Sequence, residues 1–172
     1  MWIFAYGSLV WKPGFDHLEK SPAVLQGWKR RFWQGSIDHR GIPGAPGRVL
    51  TLIEGEGQVL GFAFRIDPAT QPAVRAYLDH RESGGYEASM VHIELTDGRR
   101  FEALTYIAHP HNPNFLGHAP DEAIAAQIRT ATGPSGANTD YVLELYKELE
   151  KRGYADNHLT RIARLLNDED QE

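Results

Sequence analysis

The sequence predicts an α+β fold with the strands early and the helices late. Three observations carry this. The first two-thirds of the chain consist mainly of short β-rich or alternating apolar runs, with one helical interruption. After residue 120 the apolar residues instead recur at helical spacing. Six or so strands, two hairpins among them, are enough to curl into a small barrel with helices on one side or end. A chain of 172 residues fits one domain, 1–172, closing in an acidic tail from about 168.

In chain order, residues 2–6 form a short apolar strand stopped by Gly7 and Ser8. Residues 23–35 form a second, mixing basic residues with Trp28, Phe32 and Trp33. Segments 48–53 and 58–66 read as a hairpin turning at Gly55-Glu56-Gly57. In the latter, Leu60, Phe62, Phe64 and Ile66 give one strongly apolar face. A helix follows, with Asp67 as its cap, Pro68 at its first position and Val74, Tyr77 and Leu78 as its buried stripe. It frays at 80–83, before Gly84 and Gly85. Segments 87–95 and 100–108 form another hairpin around Asp97 and Gly98.

Three helices close the chain. The first covers 120–132, with Ile124 and Ile128 inward, and stops at Gly133-Pro134. The second starts at a cap near Asn138 or Thr139, runs to Gly153 and buries Val142, Leu145, Tyr146 and Leu149. The third covers about 156–167 with Leu159, Ile162, Ala163 and Leu166 inward. Two long loops remain. Residues 38–47 hold three glycines and two prolines, and 109–120 hold three prolines and three histidines. Ordered loops of this length are often functional.

Composition narrows the function classes. Hydrophobic residues make up 41%, which argues against wholesale disorder. The net charge of −5 comes from interspersed signs without a basic stripe, which argues against nucleic acid and anionic membrane as partners. Lys29, Arg30 and Arg31 sit among aromatics and read as one strand. The chain has no cysteine, so disulfides, thiolate metal sites and thiol nucleophiles are excluded. The first residues lack a basic n-region, and no apolar stretch approaches a membrane span. The expectation is a soluble, cytoplasmic protein.

Candidate chemistry lies in four places. In Tyr6-Gly7-Ser8-Leu9 a strand stops at Gly-Ser, leaving backbone N–H groups for an anion such as a carboxylate, although an ordinary turn reads the same. Glu82 ends a helix before a glycine hinge, where the negative helix end and partial burial raise a carboxylate pKa into the range of a general base. A solvated Glu82 paired with Arg81 or Arg75 is the plainer alternative. His109, His111 and His118 are irregularly spaced and complete no known metal pattern. Ser8, Ser36 and Ser135 lie near glycines, but none sits in a nucleophile elbow. The turn at 133–136 reads as a helix joint bordering the site.

Five stretches together resemble the ChaC-like glutathione-specific γ-glutamylcyclotransferases. They are WIFAYGSLVWKPGF at 2–15, RRFWQGSIDHRGIPGAPGRVLTL at 30–52, AYLDHRESGGY at 76–86, NPNFLG at 112–117 and GPSGANTDYVLEL at 133–145. The arginine–aromatic block followed by DHRG-x-PG-x-PGRV is the most specific. The resemblance implies a small mixed β-barrel flanked by helices. It implies cyclisation of the γ-glutamyl part of glutathione to 5-oxoproline with release of cysteinylglycine, and no cofactor or metal. It makes Glu82 the catalytic acid–base residue and Tyr6, Gly7, Ser8 and Leu9 the loop for the γ-glutamyl end. Asp38, Arg40, Arg48, Tyr86 and Tyr141 are further substrate-binding positions. Ile37, Ser83 and Asp140 depart from common family residues and leave rate and peptide-end preference open. Two rivals are a γ-glutamyl-amine or γ-glutamyl-amino-acid enzyme of the same fold, and a non-catalytic binding module regulating transport.

Overall fold

The structure, a computed structural model, describes residues 1–168, so the expected acidic tail falls almost wholly outside the described residues. Five strands close into a barrel in the order β1-β3-β2-β4-β5. They are β1 (Trp2–Ala5), β2 (Glu19–Ser36), β3 (Gly47–Arg65), β4 (Glu87–Leu95) and β5 (Arg100–Ile107). Ring closure falls to the short β1, antiparallel to β3 and parallel to β5.

The glycines at 55–57 do not turn the chain, contrary to the hairpin expected there. β3 runs straight through them, paired with β2 from Glu19↔Arg65 to Ser36↔Gly47. The register passes from Gln26↔Gln58 to Trp28↔Glu54, so the three residues 55–57 bulge opposite Gly27. Gly27 (φ 82°) and Gly57 (φ 141°) supply the backbone freedom that such a bulge needs. The bulge bends a long strand around the barrel, and the reversal comes instead at 37–46. The second hairpin matches its reading: Gly98 takes φ 89° and the Asp97 carboxylate accepts the Arg99 N–H.

Helix α1 (Gln71–Arg81) begins four residues after Asp67. The Asp67 carboxylate accepts the Ala69 N–H at 2.8 Å and its carbonyl accepts Thr70 and Gln71, forming a turn ahead of the helix. Pro72, not Pro68, lies in the first helical turn. Val74 and Leu78 are buried, but Tyr77 is 39% exposed and lies over Gly14. Helices α2 (Asp121–Thr130), α3 (Asn138–Glu150) and α4 (Asn157–Asp168) contact one another and lie on β2 and β3. On α3 the buried stripe is Asn138, Tyr141, Val142, Leu145 and Leu149. Tyr146 is only partly buried and donates to Glu150. Asn138 does not cap α3, because its amide exchanges hydrogen bonds with the Arg48 backbone at 2.6 and 2.9 Å. A two-stranded ribbon, β6 (Thr132–Gly133) and β7 (Gly136–Ala137), encloses Pro134 and Ser135. It docks on the 37–46 loop through Ser135 N–H to the His39 carbonyl, 2.9 Å.

Phe4, Phe32, Phe64, Leu50 and Leu104 are at most 1% exposed and fill the centre. Arg30 is buried with them. Its guanidinium donates to the Tyr6 carbonyl at 2.8 Å, to Asp156 at 3.1 Å and to the Leu60 carbonyl. A buried guanidinium is tolerable only when its donors are so occupied. Here it ties the end of β1 to β3 and to the start of α4.

Candidate active site

A cleft of about 270 Å³ opens between the C-terminus of α1, the turn after β1, the 37–46 loop and the β6–β7 ribbon. Ser8, Asp38, Arg40, Glu82, Tyr86 and Tyr141 line it. A smaller space of about 40 Å³ adjoins it at the end of β1, lined by Tyr6, Gly7, Leu9 and Tyr106. Ser8, Glu82, Tyr86 and Tyr141 border both. Nine of the ten residues singled out from sequence thus converge from four separate stretches of chain.

Arg48 is the one that does not converge. It is 7% exposed, and its guanidinium donates to Gln127, to the Phe32 carbonyl and to the Gly117 carbonyl at 2.7–3.0 Å. It joins β2, β3, α2 and the 109–120 loop and does not line the cleft, contrary to the placement that its substrate-binding expectation needs.

Glu82 is the C-cap of α1, its N–H bonded to the Leu78 carbonyl at 2.9 Å. Its side chain is 17% exposed and lies 3.4 Å from Arg81 Nε. Burial pushes the carboxyl above the usual glutamate value. Arg81 and His39 oppose that rise and Asp38 adds to it. The negative end of α1 acts in the same upward direction.

The hinge after Glu82 is held from behind. The Gly84 carbonyl accepts Gln34 Nε2 at 3.2 Å and Asn114 Nδ2 at 3.1 Å. Gln34 is fully buried and exchanges amide hydrogen bonds with Asn112 at 3.2 and 3.1 Å. Gly85 takes φ 112°, and a Cβ there would fall 2.6 Å from Asn112 Oδ1. The 109–120 loop therefore braces the segment carrying Glu82, while the 37–46 loop lines the cleft.

Arg81 was read from sequence only as a partner for Glu82. In the structure it also donates to Ser8 Oγ (2.9 Å), Tyr77 Oη (3.0 Å), and the Lys12 and Pro13 carbonyls (2.9 and 3.4 Å). It ties the end of α1 to the turn that follows β1. Trp11, Lys12, His39, Tyr77 and Ser135 also line the cleft. All five lie within the stretches that carry the family resemblance, but apart from Ser135 none stands out there as a site residue, because each gains its meaning from a partner far away in sequence.

Four tyrosines surround Glu82. Tyr6 donates to the Tyr106 carbonyl (2.6 Å), Tyr106 to Asp79 (2.6 Å) and Tyr86 to the Leu50 carbonyl (2.5 Å). Tyr141 instead accepts, from the Leu50 N–H at 3.3 Å. Burial raises the first three phenols well beyond their usual range and Tyr141 to about 12, so all four are neutral near pH 7. Residues Ser8–Val10 form one 3-10 turn; the Val10 N–H donates to the Gly7 carbonyl at 2.9 Å, the leading N–H groups have no partner within the turn, and Ser8 and Leu9 line the inner space.

Ser135 Oγ lies 3.2 Å from His39 Nδ1, and His39 Nε2 lies 3.8 Å from Asp38. The second distance is no hydrogen bond, and ring and carboxylate are about half exposed, so the string lacks the orienting carboxylate of a nucleophilic triad. His109 and His111 stack at 5.7 Å, and His118 meets Trp33 edge-on. Among the described residues no three His, Asp or Glu side chains converge as a metal site. No helix among them is long and apolar enough to cross a membrane.

A buried carboxylate, four neutral phenols and a Gly-Ser turn thus come together beside a closed barrel. The same fold occurs in a crystal structure of a yeast γ-glutamyl cyclotransferase specific to glutathione. The TM-score is 0.91 at 28% identity, covering 97% of this chain and 95% of that one. The chain is 41% identical over 170 residues to the human glutathione-specific gamma-glutamylcyclotransferase 1, spanning 95% of this chain and 77% of that protein. It is 36% identical over 161 residues to the Escherichia coli glutathione-specific gamma-glutamylcyclotransferase, spanning 92% and 69%. The model of the ChaC-like protein family matches residues 1–169, and the chain belongs to that family.

Proposed function

We propose that this chain is a glutathione-specific γ-glutamylcyclotransferase, converting glutathione to 5-oxoproline and L-cysteinylglycine with Glu82 as acid and base. The observation that carries the reading is Glu82 itself: a carboxylate 17% exposed, raised in pKa, bordering both the cleft and the inner space beside the Gly7–Ser8 turn. The names of the human and bacterial relatives support the substrate. The absence of cysteine is in keeping with a cytoplasmic enzyme that needs no thiol of its own.

The substrate's α-amino nitrogen attacks its own γ-carbonyl carbon. Glu82 first takes a proton from the α-ammonium group. The new C–N bond closes the five-membered lactam, and the old C–N bond breaks with its electron pair passing to the cysteinyl nitrogen. Glu82 returns the proton there, and the second proton shed by the attacking nitrogen as it becomes the lactam N–H follows to the same leaving nitrogen, which departs as an ammonium group. The N–H groups of Ser8 and Leu9 hold the α-carboxylate, so that the amine lies beside Glu82. Holding a folded γ-glutamyl chain as a near-attack conformer supplies much of the remaining acceleration. The cleft, about 270 Å³, is just under the roughly 300–1,000 Å³ common for small-molecule sites, which suits a tripeptide whose far end remains near solvent.

The test is a substrate panel read by 5-oxoproline release. The expected result is stoichiometric 5-oxoproline and cysteinylglycine from reduced glutathione, with little product from γ-glutamyl-alanine or γ-glutamyl-lysine. Equal kcat/KM for all three would leave the reaction class standing and refute the substrate. No 5-oxoproline from any of them would refute the activity.

A further inference from the structure

We infer that Tyr141 is a second catalytic residue, whose phenol O–H donates to the oxyanion formed on the γ-carbonyl oxygen. This rests on the cyclotransferase reading and adds a group to it. Attack by the amine turns that carbonyl oxygen into an alkoxide, which needs a preorganised donor in a site with little water. The other three tyrosines around Glu82 already give their protons to fixed acceptors: Tyr6 to the Tyr106 carbonyl, Tyr86 to the Leu50 carbonyl and Tyr106 to Asp79. Tyr141 is the exception. Its oxygen accepts the Leu50 N–H, and among the described residues no acceptor takes its own proton.

The rest of the side chain is immobilised. Tyr141 is 7% exposed, its ring meets Trp11 edge-on at 5.5 Å and Phe32 at 6.4 Å, and the Arg40 guanidinium lies 5.9 Å from its centre. The hydroxyl abuts the Gly7 backbone, where an added Cβ would fall 3.2 Å from Oη. It thus sits over the Gly-Ser turn, in the wall shared by the cleft and the inner space, as Glu82 does. Accepting the Leu50 N–H polarises the phenol and strengthens it as a donor. With its pKa near 12 it keeps its proton at neutral pH, and burial is the cause. No proton changes hands in this step. The alkoxide forms under the O–H, the carbonyl reforms as the cysteinyl nitrogen leaves, and the protons that move pass from the attacking to the leaving nitrogen by way of Glu82.

A donor to the transition state differs from a ground-state contact in its kinetics. Tyr141→Phe is expected to lower kcat by about a hundredfold or more, with KM within threefold. The pH limb belonging to Glu82 should stay where it is. A variant with kcat within fivefold of wild type, or one that raises KM alone, overturns the proposal. Phe leaves the Leu50 N–H without its acceptor, so the variant's fold is checked by circular dichroism. If it fails to fold, fluorinated tyrosine at position 141 keeps size and hydrogen bond while acidifying the phenol. The kcat should then rise severalfold, and an unchanged kcat overturns the proposal. Wild type is read in the same assay. Its failure to release 5-oxoproline from glutathione would sink the cyclotransferase reading and this role together, whereas turnover indifferent to position 141 would sink this role alone.

Discussion

Replacing Glu82 with glutamine should separate activity from stability. Glutamine matches glutamate in volume, and its carbonyl can still accept from Arg81, which lies 3.4 Å from the carboxylate. What it cannot do is exchange a proton. Loss of a positioned acid–base group is worth about 10²–10⁴ in rate, so kcat should fall at least a hundredfold, about 2.7 kcal/mol of barrier. Stability should move the other way or not at all. Burial raises the Glu82 pKa in the folded chain above its unfolded value. The resulting destabilisation is absent below the unfolded pKa, grows as pH rises through the folded one, and is complete above it. The uncharged variant should therefore melt at or slightly above wild type at neutral pH, and that advantage should vanish in acid. For a chain of this length about 1 kcal/mol moves Tm by roughly 2–4 °C. The assay pairs 5-oxoproline release with melting at neutral and acid pH. A variant keeping a third of the wild-type kcat would refute the acid–base role. A neutral-pH melt several degrees lower would refute the argument that the ionised carboxylate strains the fold.

Arg81→Met removes the larger of the two influences that hold the Glu82 pKa down, leaving His39 alone against burial and Asp38. The limb of the kcat/KM profile on which the base ionises should shift to higher pH, and KM should rise as the 8–13 segment loses its ties. A limb that stays put or moves to lower pH contradicts this. Gly85→Ala places a side chain at φ 112° and 2.6 Å from Asn112 Oδ1, which should cost about 2 kcal/mol or more, seen as a Tm several degrees lower with reduced turnover. A melt within a degree of wild type would show that the hinge is not held as described. Extensive treatment with EDTA should leave turnover of glutathione unchanged; activity lost on chelation and restored by zinc or manganese would bring the histidines at 109–118 into the mechanism.

Much of the architecture was legible because its rules are local. The Asp97-Gly98 turn, the four-residue spacing of Ile124 and Ile128, and the stripe of Leu159, Ile162, Ala163 and Leu166 each follow from backbone geometry over a few residues. The motif around Glu82 was legible for the same reason, since a carboxylate at a helix end before two glycines is a local pattern. The 55–57 segment misled because a glycine bulge and a glycine turn look alike in sequence. What separates them is the partner strand: residues 48–53 pair with β2, from Gly35↔Arg48 to Lys29↔Ile53, rather than with 58–66.

By itself, then, the sequence determined that strands come early and helices late, the absence of thiol chemistry and the position of the candidate base. Only the tertiary structure decided that Arg81 joins Arg40 at the cleft while Arg48 does not. Arg48 and Arg81 are alike as side chains, but one is enclosed among β2, β3 and α2, while the other spans 73 positions to reach Ser8. It also decided which tyrosine has a proton to give, because that depends on where the Leu50 N–H and carbonyl point, 91 positions from Tyr141 and 36 from Tyr86. Hydrogen-bond partners at such separations are set by the closure of the barrel, and no periodicity or propensity within a strand or helix encodes them.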